Sequence, residues 1–161
     1  MNVVPSLPGG IVRLSAETGE VTLVHGGRTR EEIRAEITAV GARMMEAVTG
    51  DPCPLPVEHQ FVDGMYIRKL LIPKGTLIVG KIHKKPCVNF VERGDIAVLT
   101  EFGSRRCGPG FMGVSQAGIQ KIGFAYEDTV FVNVFRTESE DIEQVEEEVA
   151  CDSYDHLQIE G

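Results

Sequence analysis

Between Gly64 and Thr137 the apolar residues fall into short runs, each closed by Gly, Pro, Asp or Asn. Read as strands, the runs are Met65–Ile72, Thr76–Ile82, Val88–Val91, Asp95–Glu101, Phe111–Ser115, Gln120–Ala125 and Thr129–Phe135. Short strands at this spacing predict a sandwich or a small barrel. The stretch from Pro73 to Glu101 is wound most tightly. Its expected corners are Gly75, after Pro73-Lys74, and Gly94, between Arg93 and Asp95. Glycine reaches backbone angles there that other residues reach only with strain.

The pattern changes upstream. Ile11–Leu14 and Val21–His25 flank a turn containing Gly19 and predict a hairpin. A lone hairpin is marginal in water, so it is expected to pack on the main body or on a neighbouring subunit. Ile33, Ile37, Val40, Met44 and Val48 recur at spacings of three and four and predict a helix over 29–48. Thr29 and Glu32 form its capping box, and Gly50 ends it. The apolar stripe reads as a docking face. Residues 51–63 hold Pro52, Pro54 and Pro56 and predict a stiff, extended connector. That connector would separate an N-terminal appendage, 1–50, from a barrel, 64–137. His59, within it, reads as a surface residue. Beyond 138, Ile142, Val145 and Val149 line one side of an acidic helix over 139–150, capped by Ser139. The tail to 161 offers Tyr154 and Leu157 as anchors.

At 161 residues the chain is long enough for one domain with a real core. The net charge of −8 argues against general nucleic-acid binding, which needs a basic surface. Much of the acid lies in 138–148, and the remainder is close to neutral, which leaves room for a local basic pocket. No apolar run is long enough for a membrane span, and no basic region precedes an apolar block at the N-terminus. Neither a membrane nor a signal peptide is therefore expected. Cys53, Cys87, Cys107 and Cys151 make no CxxC pair and are expected as reduced thiols, with Cys87 a small buried hydrophobe.

Four short runs carry a resemblance. Gly64-Met65-Tyr66-Ile67-Arg68, Pro73-Lys74-Gly75-Thr76, Gly80-Lys81-Ile82-His83 and Glu127-Asp128-Thr129-Val130, followed by the acidic helix, resemble small cupin-like proteins of tailed bacteriophages. The resemblance spans 64–149, about half the chain. It implies a mainly β cupin-like double-stranded β-helix, a small antiparallel barrel that in this superfamily often holds metal ligands. The ligand positions it implies are altered here. Lys81-Ile82-His83 falls where the family has His-x-His. Lys121, in Ala117-Gly118-Ile119-Gln120-Lys121, falls where the second motif has His. The expected Glu falls near Val88 or Asn89. Ammonium groups do not ligate divalent metals at neutral pH, and one imidazole holds them weakly. No metal or other cofactor is therefore expected.

What remains is basic. Lys81, His83 and Lys121, with Arg68, form a candidate pocket for a phosphate or carboxylate, and Arg105 and Arg106 are further candidates. Lys81 and His83 are two apart and share a face of any regular strand. The competing reading turns the lysines outward to solvent. No Walker loop, HExxH or GxSxG is present, and no catalytic residue is assigned. Glu127-Asp128 reads as a turn. The first expectation is a non-enzymatic structural or interaction module of a phage. It would be a homo-oligomer, with other phage proteins as further partners, in the host cytoplasm or the virion. The second is a barrel that captures a small anionic metabolite or nucleotide. The third is a metal-dependent cupin enzyme.

Overall fold

The computed structural model describes residues 10–47 and 55–157. Two antiparallel sheets carry the fold. The first holds β3 (Val57–Val62), β4 (Met65–Ile72), β7 (Cys87–Arg93), β10 (Met112–Ser115) and β12 (Thr129–Arg136), in the order β10-β7-β12-β4-β3. The second holds β5 (Leu77–Val79), β8 (Ile96–Thr100), β9 (Gly103–Cys107) and β11 (Ile122–Ala125), in the order β5-β11-β8-β9. Number the strands one to eight from β4, setting aside the two-residue β6 (Ile82–His83). The orders are then 1-8-3-6 and 2-7-4-5, which is the double winding of a jelly roll. The mainly β, double-stranded β-helix fold is thus visible in the strand order itself.

Alternation decides which side chains face inward. Ile72, Val91 and Phe131 of the first sheet pack on Ile96, Ala125 and Cys107 of the second. Two corners need glycine. Gly75 has φ +79° and Gly94 has φ +104°, and a Cβ on Gly94 would lie 2.6 Å from the Asp128 carbonyl oxygen. The turn chemistry of Pro73–Glu101 therefore follows from close approach as well as from backbone angle.

The hairpin β1 (Val12–Leu14) and β2 (Val21–Leu23) and the helix α1 (Arg30–Ala47) cover the outer face of the second sheet. Ile33, Ile37 and Val40 are buried with Val12 and Val21 against Leu77, Leu99, Ile122 and Phe124. The capping box forms as read: the Thr29 N–H donates to the Glu32 carboxylate at 2.8 Å, and the Glu32 N–H donates to Thr29 Oγ1 at 3.2 Å. The stripe on Ile33, Ile37 and Val40 docks within the chain. Val48 and Gly50 lie outside the described residues.

A second helix, α2 (Ile142–Val149), closes one end of the barrel by packing Val145 and Val149 on Tyr66, Cys87 and Phe135. Its cap is Asp141 and not Ser139. The Asp141 carboxylate accepts from the Gln144 N–H at 3.0 Å, while Ser139 Oγ accepts from the Asp141 N–H. β13 (Ala150–Cys151) then pairs with β6.

Three further differences from the sequence reading have plain causes. Residues 57–62 are the edge strand β3, because the prolines stop at Pro56 and the backbone after it is free to pair with β4. His59 consequently sits against the sheet, with Nδ1 2.5 Å from the Tyr66 hydroxyl. β9 was not expected, since Gly103-Ser104-Arg105-Arg106-Cys107 shows little apolar alternation. It is an edge strand, paired only with β8. Thr76–Ile82 is not one strand. It breaks at Gly80, whose N–H donates to the Lys121 carbonyl at 2.9 Å and whose carbonyl accepts from the Gln120 amide.

Candidate functional site

The interior end under α2 is polar, and the polarity comes from inward positions of otherwise apolar strands. Cys87 and Asn89 point inward from β7, Ser115 from β10 and Asn133 from β12. All four are buried. The Asn89 amide donates to Ser115 Oγ at 2.7 Å, and the Asn133 amide donates to Asn89 Oδ1 at 2.5 Å. The Cys87 thiol donates to the same Oδ1 at 3.3 Å. A closed network of this kind fixes the floor of the barrel.

His83 sits beside it on β6. Its backbone is held on both sides: its N–H donates to the Ile119 carbonyl at 3.0 Å, and its own carbonyl accepts from the Gly118 N–H at 2.8 Å. The ring lies with Nδ1 3.4 Å from Cys87 Sγ and edge-on to Phe135 at 5.3 Å. Burial above all, with Arg68 and any proton held on Lys121 adding to it, pushes the imidazole down to about 3, so it is neutral near neutral pH. Burial raises the Cys87 thiol, against smaller opposing effects of Lys121 and Ser115. This is an inert thiol, as its strand position suggested.

Lys121 is the unusual residue. It immediately precedes β11, whose Ile122 and Phe124 pack outward against α1, so strand parity turns Lys121 inward. Its Nζ is sealed from solvent and has no hydrogen-bond partner among the described residues. Burial lowers its proton affinity, and the neighbouring Cys87 opposes this to a smaller extent. Its stem lines a cavity of about 550 Å³ together with Asn89 and Ser115. Phe131, Val98 and Ile119 give that cavity apolar walls, and Arg105 stands at its rim. The Arg105 guanidinium lies 4.9 Å over the Phe111 ring.

Of the four basic residues singled out in the sequence, Lys121 and Arg68, the latter projecting from β4, both bear on His83. Lys81 is left out. It lies in the break between β5 and β6, 64% exposed, with Nζ 3.5 Å from Asp152. The shared face expected of Lys81 and His83 requires a regular strand, and Gly80 interrupts it. Arg106 also lies elsewhere, paired with Asp95 at 2.7 Å and over the Tyr126 ring at 3.9 Å. The sequence reading met Asn89 only as a slot where the resemblance expects Glu, set Ser115 aside as a nucleophile for want of local support, and did not weigh Asn133. The signal was a lone polar residue at an inward position of an apolar strand.

Among the described residues no three His, Cys, Asp or Glu side chains are grouped to hold a metal ion. His83 and Cys87 are in contact at the barrel end, and two such groups are fewer than the three or four protein ligands that a zinc site uses. No described helix is long and apolar enough to cross a membrane.

No family model matches the sequence, and no curated protein matches it. Solved structures do resemble it. KdgF from Halomonas sp. is 17% identical, with a TM-score of 0.49, over 61% of this chain and 93% of that one. A cupin superfamily protein from Desulfitobacterium hafniense is 6% identical, with a TM-score of 0.47, over 56% and 84%. An RmlC-like cupin family protein with a double-stranded β-helix fold, from Methanocaldococcus jannaschii, is 12% identical, with a TM-score of 0.45, over 56% and 86%. The likeness is one of fold, and the chemistry of the site rests on the residues described above.

Proposed function

We propose that the barrel is a binding chamber for a small organic anion. The observation that carries this reading is the buried Lys121 Nζ without a partner. A sealed amine with no acceptor is costly to the free protein, and an ammonium there is costlier. A carboxylate entering the cavity supplies both an acceptor and a counter-charge, so binding returns the proton to Lys121. Arg105 at the rim adds a positive charge, and the apolar walls favour a carboxylate with an aliphatic or aromatic body over inorganic phosphate. A volume of about 550 Å³ lies within the usual range for small-molecule sites.

A thermal-shift panel of aliphatic and aromatic carboxylates, sugar phosphates and nucleotides tests this reading. At a hundredfold excess over Kd, a ligand stabilises the fold by about 2.7 kcal/mol, a rise in Tm on the order of several degrees. Lys121→Met should abolish the rise. A blank panel, or a shift that survives Lys121→Met, would reject the reading.

A second reading is an interaction module that pairs with a copy of itself, in a virion or the host cytoplasm if the phage resemblance holds. Its support is the outer face of the first sheet. Met112 and Val114, 64% and 65% exposed, join Val62 and Met65 there, and among the described residues neither the hairpin nor a helix packs on them. Exposed apolar patches of this kind mark association surfaces. Light scattering at micromolar concentration should show at least a dimer that Val114→Glu dissociates. A monomeric wild type removes this reading and leaves the first untouched.

A further inference from the structure

Of the buried nucleophiles in and beside the cavity, one has no partner. Cys87 is engaged by Asn89 and His83, and Ser115 by Asn89, whereas Lys121 Nζ contacts no acceptor among the described residues. We propose that Lys121 is a covalent anchor for an oxo acid, capturing its aldehyde or ketone group as an imine while the carboxylate faces Arg105 at the rim. This inference rests on the reading of the cavity as a ligand chamber and assigns the class of ligand.

Three observations converge on it. No described carboxylate pairs with Lys121 to hold a proton on it, and burial in an apolar setting favours the free amine. A desolvated lysine of this kind is the form that attacks carbonyl carbon. The cavity begins at the lysine stem, and the Ser115 hydroxyl and Asn89 amide on the facing sheet can hold the carbonyl oxygen as it gains charge.

The step balances without an oxidant or reductant. The Nζ lone pair forms a bond to the carbonyl carbon, and one proton passes from nitrogen to the former carbonyl oxygen, giving a carbinolamine. The C–O bond then breaks as the C=N bond forms, and the hydroxyl leaves with the second amine proton as water. One amine and one carbonyl become one imine and one water.

The test is reductive trapping of the full chain with glyoxylate and cyanoborohydride near neutral pH, followed by peptide mapping. Only about one ordinary lysine in a thousand is unprotonated there, so Lys121 should be labelled at least about tenfold faster than the exposed Lys74. Labelling spread evenly over the surface lysines would overturn the inference. Lys121→Arg keeps a positive charge but forms no imine. It should lose the adduct while keeping part of the carboxylate thermal shift. A carboxylate shift dependent on Lys121 without any trapped adduct rejects the covalent step and retains the anion chamber. The absence of both rejects both. The peptide map of the wild-type protein decides the covalent step whether or not the variants fold.

Discussion

Two ionisable side chains are buried on neighbouring strands, and the fold treats them oppositely. Glu101 follows β8 and Lys121 precedes β11, and the two strands pair through Leu99 and Ile122. Leu99 and Ile122 both face α1. Side chains alternate along a strand, so Glu101 falls on the α1 side and Lys121 on the interior side. They are close in the backbone, yet the sheet lies between their side chains. Glu101, 4% exposed, is met by α1. Arg30 donates to it at 3.0 Å and Arg34 at 3.1 Å, and those two residues, four apart, share one helix face. Arg30 also lies 4.5 Å over Phe102 and Arg34 5.0 Å over Tyr154, so each arginine is held from a second side. Lys121 Nζ has no hydrogen-bond partner among the described residues. A buried charge that the chain itself pairs is structural. A buried amine that the chain leaves unpaired is where a partner from outside has something to gain.

The sharpest way to break this contrast is to remove Glu101. Glu101→Ala deletes two charge-assisted hydrogen bonds that tie α1 to the second sheet. The expected loss is about 2–3 kcal/mol, because both arginines can turn to water once freed. For a chain of this length that is roughly a 5–10 °C drop in Tm. Calorimetry of the variant measures it, and a drop under a degree or so would make the cluster surface decoration.

The opposite sign is expected at Lys121. Lys121→Met keeps the length of the stem and removes the unpaired amine, so the ligand-free protein should gain about 1–2 kcal/mol, or roughly 3–6 °C in Tm. A structural lysine cannot give that result, since its removal would destabilise. The same variant should lose the carboxylate response, joining a stability gain to a loss of binding.

The sequence showed the framework more clearly than the site. Period-two runs placed β4 and β12 almost to the residue, and the capping box placed the start of α1. Patterns of apolar residues cannot find an edge strand with both faces wet, so β9 escaped. They also missed Arg30 and Arg34, which sit on the polar side of α1 and matter only because Glu101 arrives from another element. Lys121 was found partly through resemblance, but its inward direction follows from parity with Ile122 and Phe124. Lys81 was misplaced because two residues share a face only while the strand between them stays regular. Which polar side chains lack a partner is a property of the assembled barrel, and no local pattern reports it.

The change of the Lys121→Met gain with pH is the most diagnostic. An unfolded lysine keeps its proton up to about pH 10.4. In the fold, burial lowers the affinity of Lys121 for that proton. Between the lowered value and the ordinary one the unfolded chain binds more protons than the folded chain, so wild-type stability gains with rising pH from this group. Lys121→Met has no such gain, while every other titrating group is common to both proteins. The stability advantage of the Met variant should therefore shrink from pH 7 to pH 9, by about 1 kcal/mol per pH unit where folded Lys121 is already neutral. Urea denaturation of both proteins at pH 7, 8 and 9 reads the difference directly. A gap that stays constant would mean that Lys121 keeps its proton inside the fold. It would then already have an anionic partner, and the contrast with Glu101 on which the binding chamber rests would disappear.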